Sequence, residues 1–177
     1  FCGVMSTDTT KGWVYRMGTN KTFTQVIKNT GTANGMGFSN NEKKLFFCDS
    51  KTSDVSVFDY DKTTGEISNR KIILQTLRSE SGSPDGLCVD SDDNIWVGRW
   101  DGSSIAQIDQ NGCELQRIKF PTRKITTLCF GGEDLTNIYI NSAGGDDIQQ
   151  NGQLAGALFH LRLGIKGKYE YRSRLES

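Results

Sequence analysis

Pro84-Asp85-Gly86-Leu87-Cys88-Val89-Asp90, then Ser91-Asp92-Asp93-Asn94, then Ile95-Trp96-Val97 is the stretch that decides the fold. Leu87-Cys88-Val89 and Ile95-Trp96-Val97 are short apolar runs rich in β-branched and aromatic side chains, which suits strands rather than helices. The Ser, Asp and Asn residues between them are turn formers. The segment reads as strand, turn, strand.

The same unit recurs on either side. Met36-Gly37-Phe38-Ser39 and Leu128-Cys129-Phe130-Gly131 align with Leu87-Cys88-Val89-Asp90, at separations of 51 and 41 residues. A second strand follows each, from Leu45, Ile95 and Ile138. A third starts at Val14, Val55, Ile105 and Ala157, and a fourth near Phe23, Ile72, Leu115 and Tyr169. A repeat of roughly 40–50 residues with four strands is the mark of a β-propeller blade. The chain is therefore all-β, with two intact blades. A third blade carries an insertion over residues 142–154, of which residues 142–147 are expected as a flexible loop, and a partial first blade begins at its second strand.

Composition narrows the function. The chain has 177 residues, with 20 glycines and 2 prolines, which suits many tight turns. Lys+Arg and Asp+Glu are 21 each. No basic excess is present, so nucleic acid is not an expected partner. Mean hydropathy is −0.50, and no run of about 18 apolar residues marks a membrane helix. No obligate protein partner is evident. Cys2, Cys48, Cys88, Cys113 and Cys129 make an odd count without C-x-x-C spacing. Four lie in apolar runs, so they are expected as buried free thiols in a reducing, cytoplasmic setting.

The innermost strand of each blade lines the channel, so the residue heading it reaches the channel mouth. Asn34, in Ala33-Asn34-Gly35-Met36, and Asp85 occupy the same repeat position, with Thr126 as the third occupant. A carboxylate and a carboxamide oxygen converging there suit a hard cation such as Ca²⁺ or Mg²⁺. Asn-Gly and Asp-Gly are also common hairpin dipeptides. Here each precedes an inner strand instead of joining two strands of a hairpin. His160 is expected as a structural or surface residue. Arg99-Trp100-Asp101 is expected as a packed Trp beside a solvated Arg–Asp pair, or as part of the channel rim. Residues 142–147 offer a weaker second cation site, and Asn20-Lys21-Thr22 is a glycosylation sequon.

Several of these stretches resemble the regucalcin (senescence marker protein)/gluconolactonase family, which includes luciferin-regenerating enzymes. They are Asn34-Gly35-Met36-Gly37-Phe38-Ser39, Phe58-Asp59-Tyr60-Asp61 with Thr64-Gly65-Glu66-Ile67-Ser68-Asn69-Arg70, and Pro84-Asp85-Gly86-Leu87-Cys88-Val89-Asp90 with Asn94-Ile95-Trp96-Val97. Cys129-Phe130-Gly131-Gly132 and Gly164-Ile165-Lys166-Gly167 complete the series in order. The resemblance implies a six-bladed propeller holding one divalent metal (Ca²⁺, Zn²⁺, Mg²⁺ or Mn²⁺). The family's ligand Asn maps onto Asn34 and its ligand Asp onto Asp85. Its ligand Glu and its substrate-contacting Arg and Asn would lie upstream of Phe1. An acidic residue after the first strand is replaced by Ser6-Thr7-Asp8, which makes Asp8 a substitute candidate. On this reading residues 1–177 are the C-terminal part of a single propeller, an open arc with exposed apolar flanks.

The implied chemistry is opening of a sugar lactone, a small-molecule substrate. A cation would polarise the carbonyl, and Asp85 would be both ligand and general base. The competing reading is a calcium-binding regulatory or ligand-binding propeller without catalysis.

Overall fold

The run Leu45-Phe46-Phe47-Cys48 is apolar at every position because its strand is covered on both faces. Leu45 and Phe47 pack with Val14, Ile27 and Phe58 on one side. Phe46 and Cys48 pack with Val55, Leu87, Val89, Ile95 and Val97 on the other. Successive side chains of a strand point to opposite faces, so a strand inside a stack of sheets needs both sets apolar. One sheet further on, Trp96 faces Cys88, Ile105, Ile125, Leu128 and Ile138. Three apolar seams therefore join four sheets.

The computed structural model describes residues 1–6, 11–77, 79, 82–145 and 147–171. The first sheet holds β1 (Cys2–Val4), β2 (Gly12–Met17) and β3 (Phe23–Thr30). The second runs β4 (Ala33–Phe38), β5 (Lys44–Asp49), β6 (Asp54–Tyr60) and β7 (Ile67–Gln75). The third runs β8 (Ser83–Val89), β9 (Ile95–Trp100), β10 (Ser104–Ile108) and β11 (Glu114–Lys119). The fourth holds β12 (Ile125–Gly131), β13 (Asn137–Ser142) and β14 (Leu158–Arg162). Every pairing is antiparallel between strands consecutive in the chain. These are four blades of a β-propeller, the first without its innermost strand, as the repeat implied. β8 lies between β4 and β12 and is buried at every residue.

Two expectations are corrected, and one element is added. Among the described residues the fourth blade has no strand near Tyr169. Residues 163–171 instead cross the ends of the neighbouring inner strands. Gly167 bridges Asp90, Ser91 N donates to Lys166 O at 2.8 Å, and Tyr171 Oη donates to the carbonyls of Ser39 and Asn40. Those bonds hold the segment away from β14. Beyond residues 142–147 the insertion is ordered. It carries α1 (Ile148–Asn151), capped by Asp147 and tied down where Thr122 Oγ1 and Arg123 N donate to Asn151 O at 3.0 and 2.9 Å. Asp146, part of the weaker cation site, lies outside the described residues. Finally, only Cys48 and Cys88 are buried; Cys2, Cys113 and Cys129 are exposed, and all five are free thiols. Cys2 and Cys129 point outward from the first and last sheets, where no further blade covers them.

Both end faces of the arc are apolar. Val4 (41% exposed) lies at one end, and Tyr139 and Leu158 (64% exposed) at the other. Such faces drive association. The 177-residue chain expressed by itself is expected to sediment as concentration-dependent oligomers. A monodisperse, cooperatively melting monomer would contradict this.

Candidate metal and active site

The site begins with a backbone irregularity shared by the inner strands. Register slips between Ala33 and Met36 in β4, between Pro84 and Leu87 in β8, and between Ile125 and Thr127 in β12. A bulge re-aims the side chains within it. The bulged residues are Asn34, Asp85 and Thr126, so the repeat position singled out in sequence is the position the bulge displaces.

The glycine of each motif serves close approach, not a hairpin turn. A Cβ on Gly35 would collide with Leu87 N and lie 2.7 Å from Asp85 O. One on Gly86 would collide with the Thr127 side chain and lie 2.9 Å from Thr126 O. Neither glycine has positive φ. Their missing side chains let the three inner strands converge.

Convergence brings Asn34 and Asp85 into direct contact: Asn34 Nδ2 donates to Asp85 Oδ1 and, at 3.1 Å, to Ser50 Oγ. Both line a cavity of about 330 Å³ with Met5, Thr32, Ser50, Lys51, Ser83 and Trp100. Asp85 is 9% exposed. Burial pushes its carboxyl up to about 6, only partly offset by the Asn34 hydrogen bond. Asp49 braces the wall by accepting from Gly31 N, Thr32 N and Lys51 N at 2.7–3.0 Å.

Thr126 does not join the pair. Its hydroxyl donates to Asn141 O at 3.2 Å within its own sheet, and it is not among the cavity-lining residues. Asp8 lies outside the described residues. His160 is exposed, stacked on Tyr139 and bonded to Asn137 at 2.8 Å, as expected of a surface residue. Trp100 does reach the rim: it lines the cavity, and Lys124 Nζ sits 5.1 Å from its ring centre. Asp101 pairs with Arg123 at 3.0 Å. The solvated Arg99 is a further correction, since Arg99 is fully buried.

The second-strand ends were the missed part of the site. Ser50 and Trp100 both line the cavity and lie 50 residues apart, the offset between Leu45 and Ile95. The repeat period applied to the ends of β5 and β9 was the available signal.

Asp85 imposes a pH dependence on the metal-free protein. Its folded carboxyl holds a proton more tightly than the unfolded one, whose ordinary value is 3.8. Unfolding therefore releases protons between that value and about 6, and stability falls as pH rises through the window. Asp85→Asn lacks the penalty. In chelator-treated protein it should melt above the parent at pH values over 6, with the advantage fading as pH approaches 4. Paired melting curves across that range measure it; a difference independent of pH would count against it.

Fold and site together define a β-propeller with an oxygen-donor pair at its channel mouth. Residues 1–144 match the family described as SMP-30/Gluconolactonase/LRE-like region, and the chain belongs to that family. It is 38% identical over 180 residues to pentonolactonase XacC of Haloferax volcanii, covering 98% of this chain and 62% of the relative. Its structure resembles a solved luciferin-regenerating enzyme, with TM-score 0.85 and 32% identity, over 94% of this chain and 58% of that one. It also resembles a calcium-binding protein, regucalcin, from Agrobacterium tumefaciens, with TM-score 0.88 and 25% identity, over 98% of this chain and 60% of that one. The chain thus spans about three-fifths of the length of these relatives.

Proposed function

We infer that this chain is the C-terminal part of a cytoplasmic, divalent-metal-dependent hydrolase that opens a sugar lactone. Asp85 acts as ligand and general base, and Asn34 as the neutral ligand. The observation that carries this is the Asp85–Asn34 contact on the cavity wall. A buried carboxylate sits there with an amide as its partner and no cationic side chain among the causes of its raised pKa. Such a carboxylate is relieved by a cation or by a proton. Relatives named as a pentonolactonase and as a calcium-binding regucalcin support the two halves of the reading.

The donor set fits. A carboxylate and a carboxamide oxygen are hard ligands suited to Ca²⁺, Mg²⁺ or Mn²⁺, and the carboxylate also suits Zn²⁺. Among the described residues no group of three or more His, Cys, Asp or Glu converges, so Asn34 and Asp85 would be two of several ligands. When bound, the cation supplies Lewis acidity to the lactone carbonyl.

The residues supply the rest. Asn34 fixes the Asp85 carboxylate by donating to Oδ1. The other carboxylate oxygen accepts the proton of the water that attacks the carbonyl carbon. In the metal-free protein burial holds this carboxyl above the ordinary carboxylate range. As the ring C–O bond breaks, the protonated Asp85 returns that proton to the departing ring oxygen. The product is an open-chain hydroxy acid. Trp100 offers an apolar wall for the ring carbons.

The test is a panel of sugar lactones given to the full-length protein after chelation and after adding back each metal. Metal-dependent turnover is expected. Metal or ligand binding without turnover would replace this reading by a non-catalytic regulatory propeller. The five free thiols support the reducing compartment.

A further inference from the structure

Arg99 is the penultimate residue of β9, and its side chain is 0% exposed. It points to the same face as Ile95 and Val97, into the seam against the second blade. Nε, Nη1 and Nη2 all lack a hydrogen-bond partner. A guanidinium keeps its proton at any physiological pH, and five unanswered N–H donors in a closed seam are strongly unfavourable.

Among the described residues no side chain nearby is free to answer it. Asp54 accepts from Thr52, Ser56 and Arg70. Asp49 is taken by three backbone N–H groups, and Asp85 lines the cavity, where its partner is Asn34. Glu114 is held two-pronged by Arg117, which itself repels Arg99. Cys48 faces Arg99 across the seam, but burial pushes its thiol up, so it stays neutral. Ser104, the cross-strand partner of Arg99, donates to Gly102 O. The equivalent repeat positions differ: Asp49 in β5 and Ser142 in β13 both have their polar groups bonded. The unmet demand is particular to Arg99.

We propose that the Arg99 guanidinium binds a small monovalent anion of chloride type, sealed between the second and third blades. Chloride fits where phosphate does not: the closed, largely apolar seam favours one compact, weakly hydrated charge. A carboxylate metabolite would need an opening to solvent, and Arg99 has none. The ion balances the guanidinium and clamps β9 against β5. Trp100 follows Arg99 directly and lines the candidate cavity, so the clamp sets one wall of that site. The proposal does not depend on the hydrolase reading.

The test uses the full-length protein with chloride replaced by isethionate at constant ionic strength. Saturating chloride should raise the melting temperature by roughly 5 °C. Arg99→Met keeps the side-chain length and removes the charge. It should melt higher than the parent in isethionate and show no chloride response. Crystals soaked in bromide should show anomalous density at hydrogen-bond distance from the guanidinium, which decides the matter even if Arg99→Met does not fold. Equal melting in chloride and isethionate, a chloride response retained in Arg99→Met, or guanidinium nitrogens surrounded by water with no bromide would each overturn the proposal.

Discussion

Asp85→Asn in the full-length protein should lower kcat/KM for lactone opening by about 10³-fold or more. The change keeps the size of the side chain but removes both the negative charge and the proton acceptor. Loss of a general base accounts for roughly 10²–10⁴-fold, and loss of a charged ligand weakens the metal as well. Asn34 donates to Asp85 Oδ1, and an amide at position 85 can still accept that bond through its oxygen. The cavity should therefore survive, and a melting curve or crystal structure of the variant would establish that the loss is chemical. The Asp85→Asn protein should also take up less metal by calorimetry. Lactonase activity at the parent level would refute the assigned role. The same substitution should stabilise the chelated protein above pH 6, so lost activity with unimpaired stability is the combined signature.

Asp90→Ala should destabilise the fold more than any other polar substitution in the seams, by about 3–5 kcal/mol. Asp90 is 0% exposed. Its Oδ2 accepts from Trp96 Nε1, Gln107 Nε2 and Asn94 Nδ2 at 2.9–3.2 Å. Its Oδ1 accepts from Asp92 N and Asn94 N at 3.0 and 2.9 Å. One carboxylate thus closes the β8–β9 turn, positions Trp96 and reaches β10. Its carbonyl also accepts from Asn40 Nδ2 of the neighbouring blade. Alanine leaves the Trp96 and Gln107 donors buried and unmet. Asparagine would restore one acceptor and turn a second donor toward them, so it should recover only part of the loss. At roughly 2–4 °C per kcal/mol for a chain of this size, Asp90→Ala should melt about 10 °C lower. A shift below about 2 °C would show that water replaces the carboxylate.

Much of the architecture was legible in the chain because a blade is a local object. Leu87-Cys88-Val89 and Ile95-Trp96-Val97 flank a five-residue polar turn, and antiparallel neighbours so joined must pair. Runs such as Leu45-Phe46-Phe47-Cys48, apolar at successive positions, betray strands buried on both faces. The near-constant spacing of Met36, Leu87 and Leu128 ranks those strands as equivalent. The same logic failed at Tyr169, where an apolar residue at the expected spacing was diverted by bonds to Asp90, Ser39 and Asn40, none of them close in sequence. It failed for Cys2 and Cys129 because burial of an end strand depends on a neighbouring blade.

By itself, the sequence determined the all-β class, the blade order, and the shared repeat position of Asn34 and Asp85, since each rests on patterns within about fifty residues. Only the tertiary structure decided that Asn34 touches Asp85, that Thr126 turns away to Asn141, that Ser50 and Trp100 close the cavity, and that Arg99 is sealed without a partner. Contacts between blades depend on the bulges at the heads of the inner strands and on the close approach allowed by Gly35 and Gly86. Those are displacements of a few ångströms between sheets, and the apolar pattern within one strand carries no information about them.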